Sequence, residues 1–251
     1  MMMLLLARRE LRSLFLSPLA WSILAVVQFI LAYLFLTQLN DFITLQPRLK
    51  MLENAPGATE LVIAPLYGSA AFILMMVVPL LTMRLISEER RNRSLTLLFS
   101  APLSMSEIIL GKFLGILIFF AGMTAMLTIM PLTLLFAGPL DLGHLAAMVL
   151  GLLLLISAFS AVGLYMSTLT VQPTVAAIST FGALLLLWII DWAGNKVGDE
   201  NASGLFSYLS LLRHFEALAK GVFNSSDVIY YLLFITVFIV LSIRRLDADR
   251  L

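Results

Sequence analysis

The sequence predicts an all-α integral membrane protein with six transmembrane helices, and three observations support this fold class. Of the 251 residues, 61% are hydrophobic and only 12% are charged, whereas soluble domains average about 25% charged residues. Six apolar stretches approach the roughly 20 residues that a helix needs to cross the hydrocarbon layer of a bilayer. Lysine and arginine are unevenly divided between the connecting stretches. A chain of this composition is expected to fold with lipid as part of its solvent.

The six predicted spans differ in length and in proline content. They cover residues 18–37, 63–86, 113–136, 145–169, 175–190 and 228–243. Pro79 and Pro131 lie in the second and third spans and predict kinks, because proline lacks the N–H that a helix needs. The spans carry no charge at their centres. Their polar side chains are expected to serve helix packing, with the lining of a substrate path as the alternative; they are Gln28, Thr124, Thr128, Ser157, Ser160, Ser179 and Thr180.

The positions of the basic residues predict the orientation of the chain. Eleven of the 16 lysines and arginines lie near the N-terminus, in 84–112 or near the C-terminus, and five lie in the other connections. Cytoplasmic segments of membrane proteins carry the excess of basic residues. Both termini are therefore expected in the cytoplasm, which requires an even number of spans.

Residues 1–16 precede the first span and mix leucines with charges. Arg8, Arg9, Glu10 and Arg12 alternate with apolar side chains, a pattern typical of an amphipathic helix lying on the membrane surface. The alternative is an extension of the first span. The basic residues follow the first apolar residues instead of preceding them, so no cleavable signal is predicted.

Two stretches are predicted on the outer side. Residues 40–62, with Pro47 and Pro56-Gly57, are expected to form an ordered loop. Residues 191–227 contain apolar positions at helical spacing, which predict a short amphipathic helix that lies on the outer face or re-enters the bilayer. The side chains proposed for its apolar face include Leu209, Leu212, Phe215 and Val222.

The sequence lacks the common metal-binding, nucleotide-binding and catalytic motifs of soluble proteins. The chain has no cysteine, and its histidines, His144 and His214, are too few and too far apart to predict a metal cluster. It has no phosphate-binding G-x-x-x-x-G-K-[ST] loop, no H-E-x-x-H and no G-x-S-x-G. A net charge of +1 gives no basic field for nucleic acid. The chain is therefore expected to have no catalytic activity and no cofactor of its own.

Two other function classes remain as alternatives. A self-sufficient channel or carrier is disfavoured because ion-coupled carriers usually place ionisable groups inside the membrane. An intramembrane enzyme is disfavoured because the spans show no catalytic pair. If the protein transports or does mechanical work, the energy is expected to come from a partner.

The most polar stretch follows the second span and is the expected docking place for that partner. Charges at 88–93 precede an apolar patch, and Pro102 then breaks the chain. Ser104 or Ser106 is expected to cap the next helix, with Glu107 in its first turn. Such a short helix either fits a groove on a soluble protein or only holds a loop at the interface. Gly111 and Gly115 have the spacing of close helix packing, expected within the chain.

This stretch resembles the signature of type-2 ABC transporter permeases. The run E-E-R-R-N-R-S-L-T-L-L-F-S-A-P-L-S, followed by I-I-L-G-K, is similar to the family's pattern. Residues 7–20 and 209–222 resemble the gliding-motility-type branch of that family. Arg93 stands where the family has glycine, and Thr96 stands where it has glutamate. The resemblance covers nearly the whole chain in order.

The resemblance implies a single permease domain over 1–251 that pairs with a second permease copy as a homodimer or heterodimer. A separate ATPase subunit would hold ATP and magnesium, and its hydrolysis would drive export or force transmission across the bacterial inner membrane. Membrane lipid surrounds such a chain, and any periplasmic partner is expected to be a separate protein. The cytoplasmic coupling helix within 87–107 would contact the ATPase. The residues implied there are Glu88, Glu89, Arg90, Arg91, Arg93, Ser94, Leu95, Leu97, Leu98 and Pro102.

Overall fold

The computed structural model describes residues 2–49, 56–94, 104–136, 140–194 and 210–249, and these residues form helices and short turns without any strand. The helices are α1 (Met2–Leu16), α2 (Pro18–Leu49), α3 (Ala64–Thr82), α4 (Ser87–Arg91), α5 (Met105–Leu132), α6 (Leu142–Leu169), α7 (Pro173–Gly194), α8 (Leu211–Ala219) and α9 (Ser225–Ala248). A π-helical turn, Thr59–Ile63, leads into α3, and a 3₁₀ turn, Thr133–Phe136, follows α5. The all-α class is therefore confirmed.

Five helical segments are long and apolar enough to cross a membrane. They contain α2, α3 with α4, α5, α6 and α9, and the apolar part of α7, Pro173–Ile189, is shorter. By helix length and composition, the chain is a multi-pass membrane protein. The sixth predicted span corresponds in position to α9, one of the five long segments. The fifth corresponds to α7, whose apolar part is shorter than those segments, so the count of six spans stays a prediction.

The predicted outer loop was wrong over its first ten residues. The structure continues α2 from Pro18 to Leu49, through Pro47. The prediction ended the helix where apolar residues ended, but helical hydrogen bonds do not require apolar side chains once the chain has left the hydrocarbon. Pro47 removes one helical hydrogen bond, but it lies only two residues before the end of α2, so little helix follows it.

The N-terminal segment is a helix distinct from the first span. Leu16 ends α1, Ser17 separates the two helices, and Pro18 begins α2. Proline suits the first position of a helix because its missing N–H would have no partner there. The prolines expected to kink the spans lie near helix ends, since α3 ends three residues after Pro79 and α5 ends one residue after Pro131.

Helix α6 is the centre of the bundle. It packs against α3, α5, α7, α8 and α9, and it is the most buried of the long helices, whereas α2 and α9 are mostly exposed. Gly163 lets α3 approach α6 closely, because a Cβ atom there would lie 2.7 Å from Thr82 Cβ. The two helices α2 and α9 lie at the periphery and expose apolar faces.

Hydroxyl groups in the spans bond mainly to their own helices. Thr124 donates to Phe120 O at 2.9 Å and Ser157 donates to Leu153 O at 2.6 Å. Gln28 is different, because its Nε2 donates across to Met123 O of α5 at 2.8 Å. Of these three contacts only that of Gln28 joins two helices, so the packing interpretation of the other polar residues stays a prediction.

We expect Gly163→Ala to destabilise the bundle, because the new methyl group would press on fully buried Thr82. Overpacking of this kind costs about 1–3 kcal/mol, which should lower the thermal midpoint of the detergent-solubilised protein. Gly182→Ala is the matched control, since a Cβ atom there would meet no heavy atom within 4 Å. Equal midpoints for the two variants would contradict the close approach of α3 and α6.

Candidate functional site

Polar contacts bring α1, α4, α5 and the end of α9 together at one end of the bundle. We call this the charged end and define it by six residues. They are Arg9, Glu10, Glu89, Arg90, Lys112 and Asp249. Because α1 and the end of α9 both lie there, the two ends of the described chain share one side of the bundle with the predicted coupling segment.

The turn before α4 is held by a side chain of α6. The hydroxyl of Ser167 accepts hydrogen bonds from Ile86 N and Ser87 N, both at 3.0 Å, and donates to Met83 O at 3.0 Å. The N–H groups of Ile86 and Ser87 lie at the start of α4, where backbone N–H groups have no partner within the helix. Ser167 thus fixes where α4 begins and ties it to the central helix.

The end of α4 adopts the turn that usually requires glycine. Ser94 N donates to Glu89 O at 3.0 Å and Arg93 N donates to Arg90 O at 3.2 Å, which is the bonding of a Schellman motif. Arg93 has a φ of 55°, in the left-handed region. The residue that replaces the family's glycine therefore occupies the position where glycine has a physical advantage.

Lys112 joins three segments at the charged end. Its Nζ lies 2.9 Å from Glu89 Oε1 of α4 and 3.2 Å from Glu10 Oε2 of α1. The same Glu89 oxygen accepts from Arg9 Nη2 at 2.9 Å. The Lys112 side chain is only 3% exposed, whereas that of Arg9 is 56% exposed. The buried ammonium therefore carries most of the electrostatic connection.

The two glycines of α5 let α1 reach this position. A Cβ atom at Gly111 would lie 2.7 Å from Leu6 Cβ, and one at Gly115 would lie 2.8 Å from Glu10 Cβ. The predicted use of this glycine pair in packing within the chain is confirmed. The N-terminus of α5 is fixed as predicted, because Ser104 and Glu107 form a reciprocal capping box.

A further ion pair connects α4 to the C-terminal end of the chain. Arg90 donates to the carboxylate of Asp249, which follows α9. Arg84, in the turn before α4, donates to Ser17 Oγ at 3.3 Å, between α1 and α2. Helix α4 and its preceding turn thus contact α1, α5, α6 and α9, or the residues next to them.

The residues predicted for the coupling helix differ in how exposed their side chains are. Glu88, Arg91 and Arg93 are exposed, whereas Glu89 and Arg90 are partly buried and face the bundle. Leu95, Leu97, Leu98 and Pro102 lie outside the described residues. On α1, Arg8 and Arg12 are exposed with Arg9, and Glu10 faces α5.

The opposite end of the bundle is organised around α8. Tyr231 donates its hydroxyl to Leu211 O at 2.6 Å, and His144 Nε2 lies 2.7 Å from Ala219 O. Between them, His214 Nδ1 lies 2.6 Å from Asp227 Oδ1. Helix α8 is therefore held at its start, middle and end by side chains of α6 and α9.

The neighbours of α8 show how deeply it enters the bundle. Leu211, at its start, lines a narrow space with Phe159 of α6 and Leu184 of α7. Phe159 lies ten residues before the end of α6, about 15 Å along its axis. The end of α8 contacts His144 near the start of α6 instead. Helix α8 therefore runs from the middle of the bundle to its far end.

The apolar face predicted for the outer segment needs a correction. Phe215 is buried and Leu212 is partly buried, but Val222 is 60% exposed. The helix ends at Ala219, and Gly221 has a φ of 76°, so Val222 no longer continues the helical face. Leu209 lies outside the described residues. The buried face of α8 consists of Leu211, Phe215 and Leu218.

Sequence reasoning missed several of these contacts. Neither Ser167 nor Asp249 was predicted to make a contact. A single hydroxyl in an apolar helix, or a carboxylate that follows a helix, has no local sequence pattern that would indicate its partner. The metal interpretation of His144 and His214 was rejected and no other contact was predicted for them, whereas they form hydrogen bonds to α8 and to Asp227. The described residues contain no group of acidic and histidine side chains that could hold a metal ion.

Comparison with known families identifies the class of the protein. A family model described as ABC-2 family transporter protein matches residues 4–251. The chain belongs to this family and is therefore the permease component of an ABC transporter, a type-2 permease that crosses the membrane several times. No curated protein matches the chain.

We expect Lys112→Met to lower the free energy of unfolding by about 3 kcal/mol, because it removes the cation beside the largely buried Glu10 and leaves Glu89 with the exposed Arg9. The measurement is unfolding in mixed micelles by SDS titration. Adding Glu10→Gln and Glu89→Gln should restore most of the loss, since it removes the uncompensated charges. Arg9→Gln should cost less than about 1 kcal/mol because that pair is exposed. A triple variant as unstable as Lys112→Met would contradict the central role of the ammonium.

We expect Arg93→Gly to be more stable than Arg93→Ala by about 1 kcal/mol, because both remove the side chain and only glycine removes the left-handed strain. Hydrogen exchange of peptides covering 87–94 should slow in the glycine variant relative to the alanine variant. Identical exchange in the two variants would show that the turn is not strained at this residue.

Proposed function

We propose that this permease is driven by a separate ATPase subunit that docks on the segment 87–107 at the charged end. The ATPase would bind ATP and magnesium, and the permease itself would have no catalytic activity and bind no cofactor. Movement of the docked segment would drive export or pass force across the membrane. The proposed location is the bacterial inner membrane, with the charged end and both termini in the cytoplasm.

The observation that carries the proposal is the connection of α4 to several helices at once. Glu89 contacts Lys112 of α5 and Arg9 of α1, Arg90 contacts Asp249, and Ser167 of α6 holds the preceding turn. A displacement of α4 therefore acts on the bundle directly. The exposed charges Glu88 and Arg91 leave a polar surface for the partner.

The position of α8 supports the proposal that movement at the charged end also changes the opposite end of the bundle. Its start lies about 15 Å from the end of α6, which is half of the roughly 30 Å of hydrocarbon. We infer that α8 begins inside the bilayer and returns to the outer surface, which favours a re-entrant arrangement of the predicted outer segment. The burial of Leu211 and Leu218 supports this arrangement over a helix lying on the outer face.

Three finer features rest on the resemblance. Residues 7–20 and 209–222 support placement in the gliding-motility-type branch. A second permease copy is proposed because type-2 permeases function in pairs, and the exposed apolar faces of α2 and α9 offer surface for lipid or for that copy. A periplasmic partner would be a separate protein that contacts the outer end.

The docking role is tested by replacing Leu97 and Leu98 with aspartate in the full chain. We expect the wild-type chain, purified from its native membrane, to retain a protein with a G-x-x-x-x-G-K-[ST] loop together with MgATP hydrolysis. The double variant should lose both, because charged side chains would enter the apolar contact with the ATPase.

The matched control places the same two charges at the opposite end. Leu135→Asp and Phe136→Asp change adjacent apolar residues that are 44% and 96% exposed, and ATPase retention should persist. Undiminished retention by the variant at 97 and 98 would overturn the docking proposal. Solute flux through the purified chain reconstituted alone would instead support the channel alternative.

A further inference from the structure

One side of α1 forms a basic cleft away from the bundle. Leu5, Arg8, Arg9 and Arg12 line an open cavity of about 340 Å³. Their spacing of three, four and seven residues places them on one stripe of the helix. The opposite side of α1, with Ala7 and Leu14 buried, packs against α5.

The arginines of this cleft are only partly neutralised, because one carboxylate, that of Glu89, contacts one of the three. Within the described ranges, Arg8 and Arg12 form no ion pair, and Arg9 uses one nitrogen for Glu89 while its side chain stays 56% exposed. A guanidinium offers five N–H donors, so most donors in the cleft remain available. Three guanidinium groups around one cavity suit a phosphate-type anion.

Apolar side chains beside the cleft indicate which anion it fits. Leu4, Leu5 and Leu16 are 64%, 54% and 73% exposed. An inorganic anion would leave these leucines in water, whereas the acyl chains of a phospholipid would cover them. With the charged end in the cytoplasm, as proposed above, α1 would also face the leaflet whose anionic lipids attract basic segments.

We propose that Arg8, Arg9 and Arg12 form a binding site for the phosphate headgroup of an anionic phospholipid. The site does not depend on the ATPase partner. Because Arg9 also donates to Glu89, a bound headgroup lies one side chain away from α4. Occupancy of the site by an anionic lipid therefore orders α4 as well as α1.

The first experiment measures lipid binding to the purified full chain by native mass spectrometry. Phosphatidylglycerol should bind more tightly than phosphatidylcholine, and Arg8→Gln with Arg12→Gln should weaken phosphatidylglycerol binding roughly tenfold to thirtyfold. Arg244→Gln with Arg245→Gln removes the same charge from exposed positions on α9 and should weaken it by less than about threefold. Arg8→Lys with Arg12→Lys should retain much of the affinity.

Three results would overturn the lipid site. They are equal losses in the α1 and α9 variants, equal binding of the two lipids, or displacement of phosphatidylglycerol by an excess of inorganic phosphate. The last result would indicate a site for soluble anions. Since the chain is tested alone, lipid binding cannot be confused with contact to an acidic surface of the ATPase.

A second measurement needs no variant and covers the case in which the glutamine substitutions prevent folding. Hydrogen exchange of the wild-type chain is compared in nanodiscs of phosphatidylcholine with and without phosphatidylglycerol. The anionic lipid should slow exchange in peptides covering 2–16 and 87–94, and leave 211–219 unchanged. Identical exchange of 2–16 in the two lipids would also overturn the proposal.

Discussion

The arrangement of the charged end depends on the buried ammonium group of Lys112. This group lies within 3.2 Å of carboxylates from two separate segments, Glu10 of α1 and Glu89 of α4. Two carboxylates this close would repel each other without a cation, and a buried cation would be costly without them. The three groups therefore require one another. Gly111 and Gly115 contribute by allowing the backbone of α1 to approach α5 closely enough for Glu10 to reach the ammonium.

This dependence changes the interpretation of the run at 88–104 that resembles the family's signature. Glu89 and Arg90 belong to this run, yet they face the bundle and hold α4 in place. Glu88 and Arg91 face outward. Successive helical residues are rotated by about 100° around the axis. A helix as short as α4 can therefore place some residues against the bundle and others on the surface. Substituting Glu89 would therefore affect a partner indirectly, through the position of α4, whereas substituting Glu88 would alter the surface itself.

The sequence was a good guide to helices and a poor guide to their ends and contacts. Long apolar runs predicted the long helices. They did not predict that α2 continues over 40–49, where the helix extends beyond the apolar run. Glu10 belongs to the predicted N-terminal helix and Lys112 ends the I-I-L-G-K run, and the two residues are 102 positions apart in the sequence. Their pairing depends on how α1 folds back along α5, which no local pattern records. The exposure of Val222 depends on a turn at Gly221 that the helical spacing did not reveal.

The two ends of the bundle are joined by the same pair of helices. Helix α6 carries Ser167, which holds the turn before α4, and His144, which bonds to the end of α8. Helix α9 carries Asp227, the partner of His214, and leads to Asp249, the partner of Arg90. A continuous helix transmits an axial displacement along its length, because each turn is bonded to the next. Under the proposed function, α8 would respond to α4 through two parallel helices, so loss of one connection would weaken the coupling without abolishing it.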